Sequence, residues 1–99
     1  PGAPIRLSYL RWEEVESLLS GWPEPLVLNV VRAPTERQPL LVRHQALLLP
    51  GEGGSIVRHA SQRQGRVVDQ TLGEFVSSFA ARPAPALGVN AQRVLPARP

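Results

Sequence analysis

The sequence predicts an α+β fold: an antiparallel sheet with two flanking helices. Three observations lead there. Two stretches repeat apolar residues at helical spacing, five stretches have the length and composition of strands, and the strand connections are hairpin-short and rich in glycine and proline.

The first helix is expected from about Arg11 to Ser20, where Trp12, Val15, Leu18 and Leu19 recur on one side and Glu13, Glu14 and Glu16 occupy the other. Glutamates in its first turns suit the positive end of the helix dipole, and Gly21 followed by Pro23 and Pro25 ends it. Leu26–Val31, apolar and rich in valine, reads as a mostly buried strand, followed by a polar loop over residues 33–39. Leu40–Leu49 is the longest strand candidate. The glycine-dense turn Pro50-Gly-Glu-Gly-Gly54 returns the chain along Ser55–Ser61, so the two strands form a hairpin. Gln62–Gly65 turns again into a short strand, Arg66–Val68. Thr71 and Glu74 have capping-box spacing ahead of Leu72, Phe75, Val76 and Phe79, a second helix with Arg82 in its last turn that Pro83 stops. Gly88–Leu95 suits a closing edge strand.

Ninety-nine residues, 42% of them hydrophobic, make one domain or half-domain with a modest core. Residues 1–10 and 96–99 read as loosely ordered ends. No apolar run approaches a membrane span, and no charged region followed by an apolar one marks a signal peptide. Cysteine is absent, which excludes disulfides, thiolate metal sites and a cysteine nucleophile within the chain. All 11 basic residues are arginine and the net charge is +3. They are scattered, without the stripe and stacking aromatics of a nucleic-acid binder, so no nucleic acid is expected as partner. The charge suits attraction to an acidic polymer.

The two histidines stand on either side of the glycine turn. If Leu49 and Gly54 close a four-residue loop, opposed residues sum to 103, which sets Leu48 across from Ser55, Ala46 across from Val57 and His44 across from His59. Opposed residues on antiparallel strands share a face, so the two imidazoles would sit side by side. A one-residue slip would separate them. Such a pair can act as a base held by an orienting partner. With Leu40, Val42, Ala46 and Leu48 on the same face, His44 reads equally as a hydrogen-bonded core histidine. For zinc, Asp69 is the only nearby third ligand and the usual ligand spacings are absent, so neither metal nor cofactor is expected.

The stretch Val42-Arg-His-Gln-Ala-Leu-Leu-Leu-Pro-Gly-Glu-Gly-Gly-Ser-Ile-Val-Arg-His-Ala-Ser61, followed by Gly65-Arg-Val-Val-Asp69 and the strand at Gly88, resembles NlpC-type papain-like cell-wall hydrolases. It is most similar to their N-acetylmuramoyl-L-alanine amidase-like group, over about residues 40–95. The resemblance implies the C-terminal, His-bearing half of a papain-like domain, with His44 as general base and His59 as the residue that orients it. Peptidoglycan or a muramoyl-peptide would be the substrate, and the location a bacterial cell envelope, periplasmic or secreted. The sequence departs from the family in two ways. Ala46 stands where a glycine is usual, and the nucleophilic cysteine, which the family carries on a helix upstream of the sheet, is missing. The chain is therefore expected to be inactive alone and to need a Cys-bearing segment or second chain. The competing expectation is a non-catalytic basic module that docks on a partner protein or on cell wall.

The remaining polar residues read more plainly. Ser55 and Ser61 lie in a turn and at a strand end, Trp12 belongs to the core, and Asp69 precedes the second helix. Arg43 and Arg58 should alternate to the face opposite the histidines. The apolar stripe of Leu40, Val42, Ala46, Leu48 and Val57 is expected to be too long for two short helices to cover, leaving an apolar groove beside His44.

Overall fold

The computed structural model describes residues 7–33, 41–81 and 86–94. Its elements are β1 (Leu10–Arg11), α1 (Trp12–Leu19), β2 (Leu26–Arg32), β3 (Val42–Leu49), β4 (Ile56–Ser61), β5 (Arg66–Thr71), α2 (Leu72–Ala80) and β6 (Ala86–Arg93). The strands form one six-stranded sheet in the order β1-β6-β2-β3-β4-β5, antiparallel throughout. The α+β expectation is met. Leu40, the loop over residues 34–39, Arg82, Pro83 and both chain ends (1–6 and 95–99) lie outside the described residues.

Both helices are short, and their ends explain their placement. At α2, Thr71 Oγ1 accepts from Glu74 N at 3.1 Å while Glu74 Oε1 accepts from Thr71 N at 2.8 Å, the reciprocal box that the spacing predicts. At α1, Glu14 Oε1 accepts from Arg11 N at 3.0 Å. Gly21, with φ at +74°, lets the chain leave α1 in a left-handed turn. Val15 and Leu19 of α1 and Leu72, Phe75, Val76 and Phe79 of α2 then bury against the inner sheet face, where Leu28, Leu48, Val57 and Val89 are all fully enclosed. Trp12 joins this core at its margin. Its indole donates to Ala86 O at 2.9 Å and its ring stacks on Phe79 at a centroid distance of 5.9 Å.

Three expectations need correction. The glycine turn is longer than a four-residue loop: Leu49 pairs with Ile56, Leu48 with Val57 and Leu47 with Arg58, so opposed residues sum to 105, not 103. Glycine density marks a turn without fixing which residues close it. Second, β6 is not an edge strand but lies between β1 and β2. The edge is β1, whose two residues are too few to show a period: Leu10 closes the stretch expected to be a loose end and Arg11 opens the stretch expected to be the first helix. Third, three residues of the apolar stripe are covered, with Ala46 4% and Leu48 and Val57 0% exposed, while Val42 is half-buried and Leu40 lies outside the described residues. Large rings account for this, since each aromatic side chain screens about 150–250 Å² and Trp12, Phe75 and Phe79 cluster on this face. One apolar groove lies at the β1–β6 edge, lined by Tyr9, Leu18, Trp22 and Ala91, and a shallower one lies over β3–β5, lined by Ala46, Leu47, Ala60 and Val67.

The outer face is polar at its centre. Buried Asn29 gives its amide hydrogens to Asn90 Oδ1 at 3.1 Å and Gln92 Oε1 at 3.3 Å, and its Oδ1 accepts from Gln45 Nε2 at 2.7 Å. This side-chain ladder runs across β3, β2 and β6 and satisfies a polar group that would otherwise be costly to bury.

Two predictions follow from this packing. A Cβ at Gly88 would lie 1.8 Å from Leu10 O, so Gly88→Ala must push β1 off the sheet. The expected loss is about 1–3 kcal/mol in urea unfolding, and an unchanged midpoint would show that β1 is not held there. Glu74 is held below its ordinary carboxyl range by the hydrogen bond from the Thr71 backbone. Its ionised form is favoured in the folded chain, so its contribution is complete above pH 4.5 and is lost as pH falls through the lowered value. Glu74→Gln should flatten the acid limb of the stability profile below that pH.

Candidate functional site

β3 and β4 pair only from Leu47–Arg58 to Leu49–Ile56. Beyond Leu47 the ladder ends, and the two histidines stand where the main-chain pairing has stopped. Because the register is offset by two residues from the expected one, His44 and His59 are diagonal neighbours instead of opposed ones. An even offset preserves parity, so both side chains still point to the inner face, and a diagonal pair is within reach of rings. His44 Nε2 and His59 Nδ1 are 2.8 Å apart, with ring centroids at 4.9 Å and planes nearly perpendicular at 87°. The predicted pairing of the two imidazoles is met in contact and face, though not in register.

A third member extends the chain. His59 pairs with Val68 across β4–β5, and Gln70, again two residues further on the same face, sets its Oε1 2.7 Å from His59 Nε2. The direction of the hydrogen bonds follows from this end. With the Gln70 amide presenting its oxygen, which can only accept, His59 carries its proton on Nε2 and offers a lone pair at Nδ1. In that arrangement His44 donates from Nε2, and Nδ1 is its basic nitrogen. The rings rest on α2: His44 lies 5.5 Å from Phe79 and His59 lies 5.3 Å from Phe75, centroid to centroid. Residues four apart on a helix share a face, so the capping box that sets the phase of α2 also sets the floor under both imidazoles.

The histidines are half-buried and open into a cavity of about 400 Å³, lined also by Arg43, Ser61, Gln62, Arg63 and Phe79. Arg43 therefore lies at the site and not simply on the far face. Its place at the parted end of β3, beyond the last β3–β4 pair, puts it on the cavity rim despite strand alternation. Arg58 does lie on the outer face, donating to Asp69 at 2.8 and 2.9 Å in a two-pronged ion pair. That pair holds the Asp69 carboxyl below its ordinary range and keeps it away from the imidazoles. Among the described residues no group of three His, Cys, Asp or Glu could hold a metal. Ser61 ends β4, as expected, and its Oγ accepts from Gln64 N at 3.2 Å in the turn that follows. The Ser55 hydroxyl, just before β4, is buried without a hydrogen-bond partner among the described residues.

Gln70 and Arg63 were not visible as site residues in the sequence. Gln70 could have been found by carrying the β5 alternation past Val68, since Val68 and Gln70 continue one face. Its polar neighbours Asp69 and Thr71 instead look like the end of a strand. Arg63 carries no periodic signal at all, because it sits in a turn.

Compared with protein-family models, curated proteins and solved structures, the chain matches none of them. Among the described residues no helix is long and apolar enough to cross a membrane.

The tautomers are a direct test of the hydrogen-bond chain. At about pH 9, where an ordinary imidazole is neutral, long-range nitrogen–proton spectra should show both rings protonated on Nε2. Gln70→Leu should release His59 from that tautomer. A wild-type His59 protonated on Nδ1 would reverse the chain and remove the argument for His44 as a base.

Proposed function

We propose that this chain is the His-bearing half of a cysteine-type peptidoglycan amidase or peptidase of the papain-like, NlpC kind, acting in a bacterial cell envelope. The observation that carries the reading is the directed chain Gln70–His59–His44. A lone buried histidine is commonly a core residue, but two rings in series that end on a fixed amide have their tautomers and angles set in advance, which general-base work requires. In a complete site a thiol from outside these 99 residues gives its proton to His44 Nδ1. The thiolate then attacks the carbonyl of a stem-peptide amide, the leaving amine takes the proton back, and water hydrolyses the thioester. The residues present supply the base and its orientation. They supply no nucleophile.

The covered core favours a second reading. Since α1 and α2 already enclose the sheet face, a nucleophile-bearing helix cannot lie flat over His44 and must approach through the cavity. A self-sufficient basic module that binds cell wall or a partner protein without chemistry needs no such approach.

Muramoyl-L-alanyl-D-isoglutamine separates the outcomes. Titrated into the 99-residue chain, it should perturb the ring signals of His44 and His59 and leave the β1–β6 edge unchanged. The chain alone should not hydrolyse it at any pH. Turnover abolished by His44→Ala would point to a hydroxyl or metal mechanism, and absence of any perturbation at the histidines would remove the hydrolase reading.

A further inference from the structure

We infer that the cavity beside the histidines binds a carboxylate, with Arg63 as the residue that grips it. The inference stands apart from the hydrolase reading, because it concerns binding by these residues whether or not any bond is cleaved.

Among the described residues, Arg43 and Arg63 line the cavity together with the two imidazoles, and no aspartate or glutamate does. Arg43 is itself engaged by another group of the chain, and other arginines are matched as well: Arg11 with Glu13 and Glu14, Arg58 with Asp69, Arg93 with Glu24, and Arg66 with the Gln64 side-chain carbonyl at 3.1 Å. Arg63 is exposed and has no side-chain partner among the described residues. A guanidinium is strongly suited to a planar anion, since its fork of donors meets both oxygens of a carboxylate at once.

The turn that carries Arg63 is also stiffer than its exposure suggests. Gly65 N donates to Ser61 O at 2.8 Å and Gln64 N to Ser61 Oγ at 3.2 Å, so one serine closes the turn twice. Gly65, at φ +66°, takes the left-handed position that this closure needs. The guanidinium is thus mounted on an ordered rim, and less freedom is lost when it engages a ligand. Opposite it, Arg43 issues from β3, and Ser61 and Gln62 add neutral polar groups between them. A volume of about 400 Å³ accommodates one acidic side chain or chain end of a peptide rather than a long polymer.

The test uses the 99-residue chain and three probes: the dipeptide Ala-Glu, its uncharged counterpart Ala-Gln-amide, and inorganic phosphate. In nitrogen–proton NMR titrations, Ala-Glu should shift the backbone amides of Gln62–Gly65 and the histidine rings, and Ala-Gln-amide should not. Arg63→Gln, in an exposed turn that tolerates the change, should weaken Ala-Glu binding about tenfold, the loss expected for one charge-assisted hydrogen bond. Arg66→Gln removes the same charge nearby and should leave binding unchanged. Equal weakening by both variants would mean diffuse attraction and no site. Equal binding of the acid and the amide, or tighter binding of phosphate than of Ala-Glu, would overturn the assignment to a carboxylate.

Discussion

The seam between β3 and β4 is the constraint on which the rest depends. Three residue pairs join these strands, whereas seven join β2 to β6. Where the main-chain ladder stops, the link passes to side chains: one imidazole–imidazole hydrogen bond, with each ring bedded on a phenylalanine of α2. Separating the strands at that point creates the concavity, and the same separation obliges His44 and His59 to find partners away from the backbone. A half-buried imidazole nitrogen left unmatched would cost about 1–3 kcal/mol. The series ending at Gln70 avoids that cost at both facing nitrogens. Site and fold are therefore one arrangement here, because the bond that could orient a base is also the bond that bridges the two strands where their three-pair ladder ends.

α2 transmits local sequence chemistry to that seam. The Thr71–Glu74 box fixes where the helix begins, and the four-residue spacing from Phe75 to Phe79 then places both rings under the histidines. The arginines divide along the same geometry. Arg58 is neutralised on the outer face by its β5 neighbour, while Arg43 and Arg63 flank the inner cavity.

Much of this was legible in the residues. Helical spacing at Trp12–Leu19 and Leu72–Phe79 and the capping signal at Thr71 identified both helices, because amphipathic period and end chemistry are local properties. Parity brought His44 and His59 to one face, and parity survives an even error in register. What escaped was of another kind. The two-residue offset depends on how Pro50–Ser55 folds as a turn, and many glycine-rich conformations share that composition. The position of β6 depends on β1, a strand made of two residues. Gln70 and Arg63 came to the site through a second hairpin whose register is no better marked than that of the first. The completeness of the core was underestimated because it rests on the size and contact of three aromatic rings, a matter of shape and not of pattern.

The placement of β6 has a consequence for the order in which the chain can assemble during synthesis. β2 to β5 form a meander of neighbours in sequence, available as soon as about residue 71 has emerged, but β2 pairs on its other side with β6, Leu26 against Arg93. Until that late segment arrives, the most apolar strand in the protein presents a bare edge, the kind of edge that recruits foreign strands. Asn29 lies in the middle of it, and its amide hydrogens find their acceptors on Asn90 and Gln92. An intruding strand without acceptors at those two places would bury the amide unmatched. The two acceptors on β6 thus match that edge in a way an arbitrary strand would not.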